Sequence, residues 1–476
     1  MKHLSWIFVC VLVVGMIALT GCRRSRENEQ ENTNAMFLVP EEGYTGEDVT
    51  ITFYHAMGPN LTNILEQYIV EFNQLYPNIH VEHFSVGDYN DVREQINQEI
   101  TAGNQPNIAY CYPDHVALYN LANVVVTLDD LIESDIVVKR ADGTEELLGL
   151  TDEQKDDFIA GYYAEGREFG DELMYTLPLS KSTEVLYYNK TFFDEHGLTV
   201  PKTWDELEDV CERIREIDKN SIPLGYDSEA NWFINMCEQY GSDYTSATGK
   251  HFLFNNETNR EFMEEFREWY QEGYVTTQTL YGSYTSSLFT SLNGTRSYMS
   301  IGSSAGAPYQ RPVKNDDGTY PFEVGVTTIP QVNANRPKVI SQGPSLCIFK
   351  KENPQEVIAS WLFMKFLTTN VEFQADFAMA SGYIPVIKSV AENEEYAQFL
   401  SKADGGDYIS ALSAKVCLEQ EEAYYTSPAF YGSSIARDEV GALFCKCLAS
   451  NDNGDTEKMI EKAFEDAVKE CEYQVD

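Results

Sequence analysis

Arg437, in Ser434-Ile-Ala-Arg437, carries a planar guanidinium fork of the kind that binds phosphate or paired sugar hydroxyls. Gly302-Ser-Ser-Ala-Gly306 would offer the hydroxyls of Ser303 and Ser304 with backbone N–H groups at a helix start, where anions are favoured. Each has a plainer alternative. Arg437 can satisfy itself in a surface ion pair among 76 acidic side chains, and Gly302 to Gly306 can be a tight turn. Trp232 has a flat face on which the C–H side of a sugar could stack, with helix packing as the alternative. Tyr54, His55 and Met57 follow the carboxyl end of the first expected strand, where open parallel sheets commonly bind ligands, although His55 can equally be a satisfied loop residue.

Other chemistry has no foothold. The seven histidines form no His-Glu-x-x-His pattern, and Cys445-x-Cys447 has no second pair at zinc-site spacing. There is no Gly-x-Ser-x-Gly elbow, no phosphate-binding loop ending Gly-Lys-Ser/Thr and no dinucleotide fingerprint. No metal and no cofactor are therefore expected. A glycosidase needs only two carboxylates brought together by the fold, and spacing alone does not find them among so many acids. With 30 Tyr, 25 Phe and 5 Trp, binding without catalysis is the expected activity, although most of these rings belong in the core.

Such residues must be positioned by folded lobes. The 476 residues carry a formal charge of −42, which argues against nucleic acid and anionic lipid surfaces as partners. Hydrophobic residues make up 43%, too many for a disordered acidic tail. Val49 to Tyr54 alternates as a strand, and the spacing of Leu61, Leu65, Tyr68, Ile69 and Phe72 predicts a helix that Pro77 ends. A strand over Ile79 to Val86, a helix over Tyr89 to Ala102 and a strand over Asn107 to Tyr112 complete a βαβαβ unit, which favours a parallel sheet. A second α/β unit follows Leu179, with a capping box at Thr203-Trp-Asp-Glu206, strands at Phe322 to Val326 and Ser345 to Phe349, and an apolar helix from Ile358 to Leu367. Strands interrupted by short polar turns place the crossings between lobes near Ser182 to Tyr187 and Ser341 to Ser345. Eight cysteines beyond Cys10 and Cys22 are widely scattered and read as buried thiols.

The N-terminus resembles the signal peptide of a bacterial lipoprotein. Lys2 and His3 precede an apolar run from Trp6 to Leu19, too short to span a bilayer, and Leu19-Thr-Gly-Cys22 places small residues before a cysteine. The resemblance implies cleavage of residues 1–21, a lipid on Cys22, a flexible tether over 22–47 and an extracytoplasmic protein anchored to the cell membrane.

Thr52-Phe-Tyr-His-Ala-Met57, Leu177-Pro-Leu-Ser-Lys-Ser-Thr-Glu-Val-Leu-Tyr-Tyr-Asn-Lys190, Pro201-Lys-Thr-Trp-Asp-Glu-Leu207 and Ser381-Gly-Tyr-Ile-Pro385 together resemble the family 1 extracellular solute-binding proteins. The resemblance implies an α/β, periplasmic-binding-protein-like fold: two lobes joined by a hinge, with the ligand cleft between them. The lobes would be 48–182 with about 345–388, and 183–344 with about 389–476. Within the family the chain looks most like glycerol-3-phosphate-binding proteins, whose ligand contacts would fall on Tyr89, Ser182, Ser303 or Ser304, Gly343, Tyr383 and Arg437. One position departs: where that group has an acidic residue after the strand ending near Tyr112, this chain has Pro113 and then Asp114. Trp232 resembles the position at which related sugar binders place a stacking ring. The implied partners are a small solute and the permease subunits of an ABC importer, for a receptor expected to be a monomer. A carbohydrate ranks ahead of glycerol 3-phosphate or a glycerophosphodiester, and a surface-anchored glycosidase or glycan adhesin is the rival of a different kind.

Overall fold

The computed structural model describes residues 36–402 and 408–475. Cys22, the apolar run before it and most of the expected tether lie outside them.

The first sheet is built from the expected βαβαβ unit. In β1 (Val49–His55), Val49, Ile51, Phe53 and His55 are buried while the intervening residues are not, so one face of the pleat meets the core. β1 pairs in parallel with β2 (Ile79–Ser85) and β3 (Ile108–Cys111). The crossovers are helices Pro59–Leu75 and Tyr89–Ala102. Asp88 caps the second of these, accepting the N–H of Asn90 at 2.8 Å and of Asp91 at 3.0 Å, and Gly103 ends it at a φ of +73°. The sheet is not purely parallel, however. β13 (Ser345–Ile348) runs antiparallel between β3 and β6 (Leu177–Pro178). β6 leads into one crossing between the lobes and β13 returns from the other, so local pattern along the first unit carries no trace of them.

The second sheet surrounds β7 (Ser182–Asn189), which pairs antiparallel with β10 (Met299–Ser303), β11 (Val324–Thr328) and β12 (Val339–Gln342). β8 (Leu224–Tyr226) and β9 (Val275–Thr277) extend it in parallel beyond β10. The core of this lobe is aromatic, with Trp204, Trp232, Phe266, Trp269 and Phe444 in one cluster. Thr203 caps helix Trp204–Ile217, its Oγ1 accepting Glu206 N–H at 3.2 Å. Only that half of the expected box forms, because the Glu206 carboxylate accepts Lys202 N–H at 2.7 Å instead.

Two short segments cross between the sheets side by side. β6 leads to β7 through 179–181, and β12 returns to β13 through Gly343 and Pro344. Leu179 N–H donates to Pro344 O at 3.1 Å, tying them together. The first crossing thus lies upstream of Ser182 to Tyr187, which are β7 residues of the second sheet; the second falls where expected. Gly343 has a φ of +112°, and a Cβ there would sit 2.7 Å from Ser180 O, so only glycine lets the crossings approach this closely. All eight cysteines among the described residues are free thiols, and all but Cys445 are buried.

Candidate ligand-binding site

The crossings floor a cleft of about 720 Å³ that opens to solvent between the lobes. Tyr112, Asp114 and Glu165 line it from the first lobe; Tyr244, Ser341, Gln342 and Arg437 line it from the second, and Gly343 from the crossing. Tyr112 and Asp114 sit just beyond the carboxyl end of β3, the place that an α/β sheet leaves open to ligands. Arg437 lies near the start of the 17-residue helix Ser433–Ala449.

The second-lobe wall is a buried hydrogen-bond network. Arg437 Nη2 donates to Asn231 Oδ1. Asn231 Nδ2 donates to Glu184 Oε1 at 2.8 Å and to Gln342 Oε1 at 3.0 Å, and Asn235 Nδ2 donates to Glu184 Oε2 at 2.8 Å. Tyr226 OH also donates to Glu184. Ser228 caps helix Glu229–Tyr240, and the four-residue spacing puts Asn231 and Asn235 on one face of it. Burial raises the Glu184 carboxyl to about 7, against the pull of its hydrogen bonds and of Arg437. Arg437 has no ion-pair partner among the described residues, so its charge is available to the cleft. Ser341 Oγ, Tyr244 OH and Thr245 Oγ1 line the same space with no hydrogen-bond partner among the described residues.

The first-lobe wall is aromatic. Tyr112 stacks on Tyr89 with ring centroids 4.6 Å apart, and the Tyr89 and Tyr383 hydroxyls are 3.1 Å apart. Burial pushes all three phenols above their ordinary range, so they stay protonated. Gly382, at a φ of +77°, has room for no side chain: a Cβ would lie 2.9 Å from Ser304 O of the facing lobe.

The structure therefore brings Asp114, Gly343 and Arg437 into one cleft, with Tyr89 and Tyr383 behind Tyr112 and Ser182 at the crossing, where it registers with Gln342. Ser303 and Ser304 stand at the end of β10, but their hydroxyls accept Ala305 N–H at 3.2 Å and Thr183 N–H at 3.3 Å. This is the tight-turn arrangement, a 3-10 helix over Ser304–Gln310, and not an open cradle of N–H groups. Trp232 is withdrawn from the cleft. It is fully buried, stacked on Tyr226 at 4.7 Å, because it faces away from its neighbour Asn231 around the helix. His55 is also buried, with Nδ1 accepting Met57 N–H at 3.1 Å and Nε2 3.1 Å from His83 Nδ1. Burial first, and His83 second, lower His55 to about 4. Among the described residues no group of three His, Cys, Asp or Glu side chains could hold a metal ion.

Glu165, Glu184, Asn231 and Gln342 were not among the expected site residues. Their sequence signals are a carboxylate opening the otherwise apolar run Glu184-Val-Leu-Tyr187 and two Asn residues four apart in the apolar helix at Trp232.

Two α/β lobes joined by short crossing segments over a polar cleft make a periplasmic-binding-protein-like fold. The chain belongs to the family described as bacterial extracellular solute-binding protein, which it matches over residues 67–400. It is 22% identical over 355 residues to the maltotriose-binding protein of Pyrococcus abyssi, covering 72% of this chain and 68% of that protein. It is 23% identical over 393 residues to the sn-glycerol-3-phosphate-binding periplasmic protein UgpB of Salmonella typhimurium, covering 78% and 83%. In fold it is similar to UgpB of Mycobacterium tuberculosis, crystallised with glycerophosphocholine, at a TM-score of 0.70 and 18% identity over 90% of this chain and 100% of that one. It is also similar to an ABC substrate-binding protein of Listeria monocytogenes in complex with cycloalternan, at a TM-score of 0.67 and 18% identity over 88% and 98%.

Proposed function

We propose that this chain is the solute receptor of an ABC importer, capturing a mono- or oligosaccharide between its lobes and delivering it to membrane permeases without chemical change. The observation that carries this reading is the charge balance of the cleft. Asp114 opposes Arg437, Glu165 is neutralised by Lys181 behind it, and the remaining polar lining is hydroxyl and amide. A neutral polyhydroxyl ligand can use every one of those groups as donor or acceptor. Tyr112 and Tyr244 add ring surface for apolar sugar faces. Closure follows from the ligand's greater affinity for the closed arrangement, which contacts both walls.

A second reading, sn-glycerol 3-phosphate or a glycerophosphodiester, is favoured by one feature: Arg437 has no ion-pair partner among the described residues and lies close to a helix start, where an anion is stabilised. Calorimetry of the purified protein with D-glucose, maltotriose, glycerol and sn-glycerol 3-phosphate separates the two. Heat from a sugar supports the first reading, and heat from the phosphate alone replaces it with the second. New reducing ends on incubation with oligosaccharides would instead indicate a glycosidase.

The leader-like N-terminus supports a lipoprotein held at the outer face of the cell membrane by Cys22, acting as a monomer whose tethering raises its concentration near a permease. Cys22→Ala is expected to move the protein out of the membrane fraction while leaving solute affinity unchanged.

A further inference from the structure

We infer that Glu165 is the acceptor of the ligand's hydroxyl groups, a specificity-determining carboxylate held against the crossings by Lys181; the inference rests on the cleft being the ligand site. Glu165 opens a 3-10 turn, Glu165–Arg167, that lies flat against the chain entering β6 because Gly166 is small: a Cβ there would sit 2.4 Å from Thr176 O. The turn delivers a carboxylate that lines the cleft yet is only 2% exposed.

Its two oxygens differ. Oε1 accepts from Lys181 Nζ at 2.6 Å and from Ser345 Oγ at 3.3 Å. Lys181, fully buried, also donates to Gly343 O at 3.3 Å and Ser345 Oγ at 3.0 Å, so its three protons are all used. Oε2 has no hydrogen-bond partner among the described residues. A buried ion pair is costly unless its remaining lone pairs are satisfied, and once the lobes close and exclude water this oxygen is satisfied only by a donor on the ligand. A ligand hydroxyl completes it. Ser341 Oγ and Tyr244 OH, also unpartnered and in the same lining, complete a ring of groups able to bind a second hydroxyl. The unpaired oxygen accepts only from a donor, so a hydroxyl-bearing end of the ligand faces Glu165 and oxygen acceptors face Arg437. Because Lys181 ties Glu165 to both crossings, a hydroxyl bound there acts directly on the hinge.

The test is calorimetry of the full folded protein and two variants with D-glucose, maltotriose, glycerol and sn-glycerol 3-phosphate. Glu165→Gln should weaken every probe the unaltered protein binds by about ten- to a hundred-fold, the loss expected for a hydrogen bond to a charged group. Glu165→Gln combined with Lys181→Met removes the stranded ammonium and should show the same loss, so a poorly folding single variant does not decide the matter. Unchanged sugar affinity in either folded variant overturns the role of Glu165 and leaves the sugar-receptor reading intact. Binding of the phosphate alone, weakened in the variants, overturns the sugar reading and keeps the role. An unaltered protein that binds none of the probes overturns both.

Discussion

On the first-lobe side of the cleft, Tyr89, Tyr112 and Tyr383 meet by ring stacking and paired hydroxyls, whereas on the second-lobe side Arg437 is held through Asn231 to the buried Glu184. The first wall is organised by packing. Its ring cluster offers phenols that burial keeps neutral, set beside the carboxylates of Asp114 and Glu165, and its shape is fixed by β3, the helix opening at Tyr89 and the close approach at Gly382. The second wall is organised by charge, through donors from the strand ending at Tyr226 and the helix carrying Asn231 and Asn235 that converge on one carboxylate. A packed wall holds its geometry across pH and loses little when one hydroxyl is removed. A charged wall fails when one member is removed or changes protonation, because its other members are then left buried and unsatisfied.

The largest way to break the contrast is Arg437→Ala. Binding of whichever probe the protein takes up should fall about 30- to 150-fold, on the order of 2–3 kcal/mol for a charged hydrogen-bonding group. Calorimetry reads the loss, and a thermal unfolding midpoint close to that of the unaltered protein shows that it is not a folding defect. Unchanged affinity would mean that the second wall is a scaffold and that the ligand is held elsewhere.

How legible these walls were in the sequence follows the same divide. The helix at Tyr89 was bounded correctly because Asp88 and Gly103 mark its ends locally, and β1 to β3 follow from local alternation. Asp114, Gly343 and Arg437 were singled out separately, and the fold brings them into one cleft. The Glu184 network was not foreseen, since its members lie tens to hundreds of residues apart and only the fold makes them neighbours. Trp232 shows the complementary failure: it adjoins Asn231 in sequence, but one step around a helix turns it from the cleft into the core. The strand at Ser345 was foreseen, but its antiparallel place in the first sheet was not, being supplied by a chain that had already visited the other lobe.

The pH dependence of stability sharpens the comparison, because each lobe buries a group shifted into the range between pH 4 and 7. His55 in the first lobe is lowered from 6.5 to about 4 by burial, with His83 on its edge and Phe53 and Tyr110 around it. A depressed pKa means that the unfolded chain takes up the proton first. Its stabilisation is complete above pH 6.5 and is lost as pH falls towards 4. Glu184 in the second lobe is raised from 4.5 to about 7 by burial, facing Tyr226, Asn231, Arg437 and Asp227. Its stabilisation is complete below pH 4.5 and is lost as pH rises through 7. The two windows overlap with opposite slopes, each spanning on the order of 3 kcal/mol at most. Subtracting the unfolding free energies of His55→Gln from those of the unaltered protein should leave a term that rises with pH between about 4 and 6.5. The same subtraction for Glu184→Gln should leave one that falls between about 4.5 and 7. Difference profiles that are flat, or of the same sign, would remove the electrostatic distinction between the lobes.

The smallest expected effect comes from the packed wall itself. Tyr89→Phe removes one partner of the 3.1 Å hydroxyl pair with Tyr383 but keeps the ring stacked on Tyr112, so the shape presented to the cleft survives. A neutral hydrogen bond contributes about 1 kcal/mol, and affinity should therefore fall no more than about five-fold. Tyr89→Ala, which removes the ring, should cost clearly more by leaving Tyr112 unsupported. The ratio of the two is the informative quantity. If Tyr89→Phe is as harmful as Tyr89→Ala, the hydroxyl bonds a ligand directly, and the first wall recognises by hydrogen bonding as the second one does. If Tyr89→Phe is silent and Tyr89→Ala is not, the wall acts through the position of Tyr112, and the division between a packed face and a charged face holds.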